Sequence, residues 1–256
     1  MPAGRGRYRI TLLGLPLSSG VSDSQIVSIP GVAKKNCPNA PYCVANEVVC
    51  GEIGRFLGSP VPPAGVFYPP KGNDLYFASL DFNLTGNTLP PVNATKCVEI
   101  LPEESAGLLL FDILIANSDR HGRNFSVDDS SKPPKMNIFD HGHAMFGKDA
   151  GEGTARLVRL RDRLAISAGS RTAGNRHCLL DQVNTDAHFG RWIERIRQIP
   201  DYVIEDLCSE VSGLGCTKAE AAAAENFLKH RRGKLSQIVE ENRAQFTGIR
   251  SWRLFR

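Results

Sequence analysis

The sequence has no apolar run long enough to cross a bilayer. The longest, around 107–116, falls far below the ~18–20 residues a spanning helix needs. It has no Cys-x-x-Cys pair, and its seven cysteines (Cys37, Cys43, Cys50, Cys97, Cys178, Cys208 and Cys216) are an odd number. That pattern argues against a disulfide framework and a zinc ribbon, and it fits a reduced cytoplasm. In that compartment the sequons at Asn83, Asn93 and Asn124 carry no meaning. The N-terminus is basic (Arg5, Arg7, Arg9) but lacks the apolar region and small-residue cleavage site of a signal peptide. No internal repeat or low-complexity tract is present, which excludes solenoid, collagenous and wholly disordered readings.

What remains is an ordinary globular composition, 41% apolar and 23% charged over 256 residues. It allows one large domain or two lobes. Residues 1–150 carry 13 Lys and Arg against 14 Asp and Glu, whereas residues 151–256 carry 18 against 13. The basic runs are Arg156/Arg159/Arg161/Arg163 and His230-Arg231-Arg232. They fit an acidic partner such as a nucleotide, tRNA or phosphoprotein, although a solvated basic face is the plainer reading of either run alone.

Strand-like segments lie at 8–13 and 25–34, separated by the Gly/Ser stretch 17–24. A helical rhythm runs from Val44 to Leu57 and stops at Gly58 and Pro60. Two further strands flank the turn 69–73. Beyond the polar stretch 83–93 the pattern turns helical. Residues 103–117 contain the solid apolar run Leu108 to Ile115, the mark of a buried helix. A buried strand with a His/Gly loop follows at 135–146, then a flexible stretch at 147–153. Helices are expected over 192–198, 201–211 and 217–242, the last begun by a capping box at Thr217. The outline is α+β: a β-rich first part with one helix, joined near 82–95 to a larger helical part. A cleft between two such lobes is a natural nucleotide site.

The chemistry concentrates in Asn117-Ser118-Asp119-Arg120-His121-Gly122-Arg123-Asn124-Phe125 and in Met136 to Gly142. A buried helix ends and a polar loop presents Asp119. Asn124 follows five residues later, and a buried strand then delivers Asp140 before a glycine. One carboxylate for a substrate hydroxyl, with an Asn and an Asp converging on a hard cation, is the equipment of phosphoryl transfer.

These loops resemble the catalytic and metal-binding loops of the HipA-like kinases, and also the Asp-Arg-His … Asn … Asp-x-Gly loops of phosphatidylinositol 3/4-kinases. Val32-Ala33-Lys34, Asn46-Glu47, Leu57-Gly58 and Pro60-Val61-Pro62 resemble the lysine strand and Asn-Glu helix of small HipA-like proteins, and 226–235 resembles their C-terminal helix. The resemblance spans roughly residues 10–240. It implies a two-lobed protein-kinase-like fold, with a small β-rich N-lobe over 1–82 and a larger helical C-lobe over 83–256. It implies an ATP- and Mg²⁺-dependent enzyme acting on a protein or small-molecule hydroxyl, in the cytoplasm. Asp119 would orient or deprotonate the acceptor, His121 would brace the loop, and Asn124 and Asp140 would ligate Mg²⁺. Lys34 would hold the nucleotide phosphates with Glu47 as its helix partner, Lys35 being its rival on the opposite face. No Gly-x-Gly-x-x-Gly precedes Lys34, so the phosphate loop falls to Ser18–Asp23, with Ser19 and Gly20. The segment Tyr76 to Phe82, including Asp81, would connect the lobes and face the adenine. The loop 147–163 and the stretch 170–188 are the expected acceptor-recognition elements. Two other readings stay open: a lipid kinase whose basic half meets an anionic membrane, and a metal hydrolase built on His141 and His143 with His121 and Asp119.

Overall fold

Alternation of short and branched side chains in the first eighty residues produces strands. The computed structural model describes residues 8–17, 24–83, 89–166 and 176–254. Strands β1 (Leu12–Leu17) and β2 (Ser24–Ser28) form an antiparallel hairpin. Pro30 then interrupts what the sequence suggested as one segment over 25–34, because proline cannot donate to a ladder. Strand β3 (Gly31–Lys35) begins after it and joins a separate sheet, in the order β3-β5-β4, with β4 Ala64–Phe67 and β5 Tyr76–Leu80. The register sets Lys34 opposite Phe77 and Val32 opposite Ser79, all on one face. Helix α1 (Cys43–Phe56) packs against all three strands of this sheet.

The second part is mostly helical. A short α2 (Ala94–Ile100), which the sequence reading did not anticipate, is capped by the Asn93 side chain accepting from the Lys96 amide. Pro102 opens α3 (Pro102–Leu114), and Leu108 to Ile115 are wholly buried, as an apolar run on all faces requires. The strand expected over 135–146 is shorter: β7 (Lys135–Ile138) pairs antiparallel with β6 (Phe125–Asp128), a partner absent from the sequence outline. The segment expected to be a recognition loop contains helix α4 (Gly153–Leu160). Helices α5 (Phe189–Arg197), α6 (Asp201–Glu210) and α7 (Lys218–Glu241) follow. Thr217 forms the expected capping box: its hydroxyl accepts from the Glu220 amide, and Glu220 accepts from the Thr217 amide. The other Glu220 oxygen accepts from the Tyr42 hydroxyl, so the start of α7 is tied to the entrance of α1.

Two of the basic residues turn inward. Arg231 is fully buried, and its guanidinium donates to the carbonyls of Ile113 and Leu114 at the end of α3 and of Leu160, Arg161 and Arg163 at the end of α4. Arg156 donates to the Met145 carbonyl. The exposed charge of both runs is correspondingly smaller than the sequence suggested, Arg159, Arg161 and Arg163 being the residues of the first run that face water. No helix among the described residues is long and apolar enough to cross a membrane.

Gly107 marks the tightest packing in α3. A Cβ there would lie 2.3 Å from the indole of Trp192, whose ring nitrogen is fixed by donating to the Glu103 carbonyl. Gly107→Ala gains about 1 kcal/mol of helix propensity but forces a buried ring aside, which costs about 1–3 kcal/mol or more. The clash wins. Thermal denaturation should show a lower Tm for Gly107→Ala, and an unchanged or raised Tm would contradict this packing.

Candidate active site

Strand alternation aims Lys34 at the face of the sheet covered by α1 and Lys35 away from it. Lys34 Nζ donates to Glu47 Oε1 at 2.6 Å and to Asp140 Oδ1 at 2.7 Å. Lys35 is exposed and pairs instead with Asp74 at 2.6 Å. Burial works against the Lys34 charge, but the two carboxylates outweigh it and raise its pKa above the ordinary lysine value. The structure therefore brings together Lys34, Glu47 and Asp140, residues separated by up to 106 positions.

Helix α1 supplies two adjacent buried polar side chains, and each holds the loop after β7. Glu47 accepts from Lys34 with one oxygen and lies 3.3 Å from His141 Nδ1 with the other. Burial favours its neutral form, but the His141 and Lys34 contacts prevail and lower its pKa from 4.5 to about 2. Asn46 donates to the Gly142 carbonyl at 2.9 Å and accepts from the Phe146 amide. Between these clamps Asp140 adopts φ 63°, a left-handed conformation that costs a non-glycine residue about 1–2 kcal/mol.

The loop after α3 is organised from below. Ala116 turns left-handed at φ 51° and Asn117 closes the helix onto the Asp112 carbonyl. Asn117 Oδ1 accepts from the Asp119 amide, and Asn124 Nδ2 donates to the Asp119 carbonyl at 2.8 Å. With its side-chain nitrogen so engaged, Asn124 keeps its side-chain Oδ1 for another partner. The Asp119 carboxylate is half-buried and, among the described residues, has no hydrogen-bond or ion-pair partner.

His121, expected to brace this loop, ties only its own turn together. It is exposed, and Nδ1 accepts only from the Arg123 amide at 3.2 Å. The brace is Arg120, which is 1% exposed. Its Nε and Nη2 hold Asp112 of α3 at 2.8 and 3.1 Å, and its Nη1 donates to the carbonyls of Asn124 and Phe139. One guanidinium thus fixes the backbone at Asn124 and the residue before Asp140. Asp112 also accepts from Asn117 Nδ2 and lies 2.9 Å from His177 Nε2, so both its oxygens are engaged. Its burial opposes ionisation, but the Arg120 charge and the His177 bond keep its carboxyl well below the usual range. Burial lowers the His177 pKa, leaving a neutral ring that donates from Nε2 and accepts the Leu179 amide at Nδ1. The signal in the sequence was a lone Asp inside an otherwise apolar helix, which demands a buried counter-charge.

Lys34, Glu47, Asp140 and His141 line a cavity of about 540 Å³, together with Val32, Phe77, Ile138, Leu80 to Asn83 and the charged Asp81 and Arg123, whereas Asp119 and Asn124 lie outside that lining. The size and apolar character suit a small-molecule site. The Asp81 carboxylate accepts from the Asn83 amide at 2.8 Å. Ser19 and Gly20, with the rest of the proposed phosphate loop 18–23, lie outside the described residues, as do 167–175. The described residues gather no group of three or more His, Cys, Asp or Glu side chains suited to a metal. His141 faces Glu47 instead, so a His141/His143 hydrolase centre finds no third ligand there.

No protein-family model and no curated protein sequence matches the chain. Among solved structures, the proinflammatory kinase CtkA of Helicobacter pylori aligns with a TM-score of 0.55 at 15% identity, covering 85% of this chain and 91% of that one. This chain shares the fold of a kinase. The HipA component of a Shewanella oneidensis toxin–antitoxin complex with its operator DNA aligns at a TM-score of 0.46 and 13% identity, over 94% of this chain and 67% of that one. The likeness to CtkA is one of fold, and it agrees with the resemblance to the HipA-like kinases carried by residues 117–124 and 139–142.

The depressed Glu47 pKa has a pH signature. Stability from the Glu47 carboxylate is fully present above about pH 4.5, the unfolded value, and is lost as pH falls toward about 2, the folded one. The Tm difference between wild type and Glu47→Gln should therefore narrow as pH is lowered from 7 to 3 in scanning calorimetry. A difference constant across that range would contradict the buried carboxylate assigned here.

Proposed function

We propose that this protein is an ATP- and Mg²⁺-dependent phosphotransferase of the HipA-like kind, with residues 1–82 as a smaller β-rich lobe and 83–256 as a larger helical one. The observation that carries this reading is the meeting of Lys34, Glu47 and Asp140 on the wall of the cavity, with the Asp119–Asn124 loop held beside them by Arg120.

ATP would enter with its base among the apolar residues of the lining and its phosphates toward Lys34. Because Glu47 and Asp140 keep Lys34 charged, it arrives in the protonation state a polyphosphate requires. The donor set suits Mg²⁺: the Asn124 side-chain Oδ1 is uncommitted among the described residues and Asp140 brings a carboxylate, both hard oxygens. When bound, Mg²⁺ neutralises phosphate charge. Lys34, released from Asp140 by the incoming phosphates, stays anchored through Glu47. The unpartnered Asp119 carboxylate receives the hydroxyl proton of the acceptor as the acceptor oxygen bonds to the γ-phosphorus and the bond to ADP breaks. The rest of catalysis is positioning and fixed charge. The acceptor is a hydroxyl of a protein Ser or Thr, or of a small molecule.

Removing the proton acceptor costs an enzyme about 10²–10⁴-fold in rate. Asp119→Asn should lose transfer of the γ-phosphoryl group on that scale while keeping the wild-type Tm, since no hydrogen bond of the Asp119 carboxylate is lost. Wild-type turnover in this variant, followed with γ-labelled ATP, would sink the assignment.

A further inference from the structure

Arg123 stands apart from the other charged groups on the cavity wall. Lys34 is held by two carboxylates, Glu47 and Asp140 are held by Lys34, and Asp81 accepts from the Asn83 amide. Arg123 is exposed at the cavity, and among the described residues its guanidinium has no hydrogen-bond or ion-pair partner. Its surroundings explain why. The neighbouring wall is Leu89, Pro90 and Pro91, which bears no charge, and the prolines have no N–H to offer. Among the described residues at that end of the cavity, the guanidinium is the strong donor open to an anion.

The backbone beneath it is fixed. The Val92 amide donates to the Gly122 carbonyl at 2.6 Å, and a Cβ on Gly122 would lie 2.6 Å from the Val92 carbonyl oxygen, so only glycine lets the two segments meet. On the other side the Arg123 amide donates to His121 Nδ1 and the Asn124 amide to the His121 carbonyl. The loop is pinned on both sides, so the Arg123 side chain leaves a set position four residues after Asp119.

Resting on the phosphotransferase reading of this cavity, we propose that Arg123 selects the acceptor by pairing with a carboxylate next to the phosphorylated hydroxyl, so that the substrate is a Ser or Thr in an acidic peptide segment. An arginine suits this task because its planar fork matches a carboxylate with two parallel bonds. The nucleotide's phosphates have their own cation in Lys34, which leaves Arg123 for the acceptor. Charge recognition at the edge of a site acts chiefly on specificity and encounter, and like charge placed opposite is repelled.

The test is a degenerate Ser/Thr peptide library carrying Asp/Glu, neutral or Lys/Arg residues beside the acceptor. It is read with wild type, Arg123→Ala and Arg123→Glu, with KM for ATP measured alongside. Wild type should prefer acidic over basic neighbours by about tenfold, which corresponds to about 1.4 kcal/mol. Arg123→Ala should bring the ratio near one and Arg123→Glu should invert it, an inversion that mere loss of structure cannot produce. A preference unchanged in Arg123→Glu overturns the proposal, and a raised KM for ATP with unchanged preference assigns the guanidinium to the nucleotide instead. A protein that binds Mg²⁺-ATP but phosphorylates no library member overturns the peptide acceptor. A wild type that binds no Mg²⁺-ATP overturns the kinase reading itself.

Discussion

The buried pair of Arg120 and Asp112 is the constraint on which the rest of the site depends. Both side chains are fully removed from water, and a buried charge is tolerated only when its hydrogen-bonding capacity is filled. Asp112 is filled by Arg120, Asn117 and His177. Arg120 is filled by Asp112 and by two backbone carbonyls, those of Asn124 and Phe139. Removing one partner of such a pair costs about 3–5 kcal/mol, because the other is left as an uncompensated charge. The two loops cannot drift apart without exposing that cost. Charge burial in α3 is thereby converted into a fixed distance between Asn124 and the strand end that carries Asp140.

Arg231 plays the same part from the outside of the site without any carboxylate. Its donors are spent on carbonyls at the C-terminal ends of α3 and α4, where helix dipoles concentrate partial negative charge. Burial lowers its pKa to about 9, the direction expected when carbonyl dipoles stand in for a full counter-charge. The end of α3 leads into Asp119, and α4 follows the loop after Asp140. Helix α7 therefore holds together the approaches to the loops that carry Asp119 and Asp140, and Asn46 and Glu47 of α1 hold the second loop from the opposite side. A left-handed Asp140 persists inside this frame because the residues before and after it are tied down independently.

The legible parts of the sequence were those governed by local rules. The apolar run in α3, the Thr217 capping box, the helices expected from residue 192 onward and the antiparallel pair β4 and β5 follow from periodicity, capping and turn chemistry. Strand alternation separated Lys34 from Lys35 before any contact was known. What could not be read were partnerships between distant residues. His121 sits in the motif but faces water, while Arg120 beside it faces inward, and no pattern of three residues distinguishes the two. Arg231 lies within a basic run that looks solvated until α3 and α4 present their carbonyls to it. Strand β6 escaped notice because four residues following a polar loop have too short a period to register.

The chemistry proposed for this frame rests on one cation and two acids already held together, with the Asp119 carboxylate standing free beside them. Lys34 bridges Glu47 and Asp140, and an incoming polyphosphate with its metal would take over the Asp140 contact while Glu47 keeps its hold on the lysine. Titration calorimetry of ATP, with and without Mg²⁺, on wild type and Asp140→Asn tests this most directly. The account predicts Mg²⁺-dependent ATP binding by wild type that collapses in the variant. Absence of ATP binding by wild type, or equal binding with and without Mg²⁺ in both proteins, would contradict it.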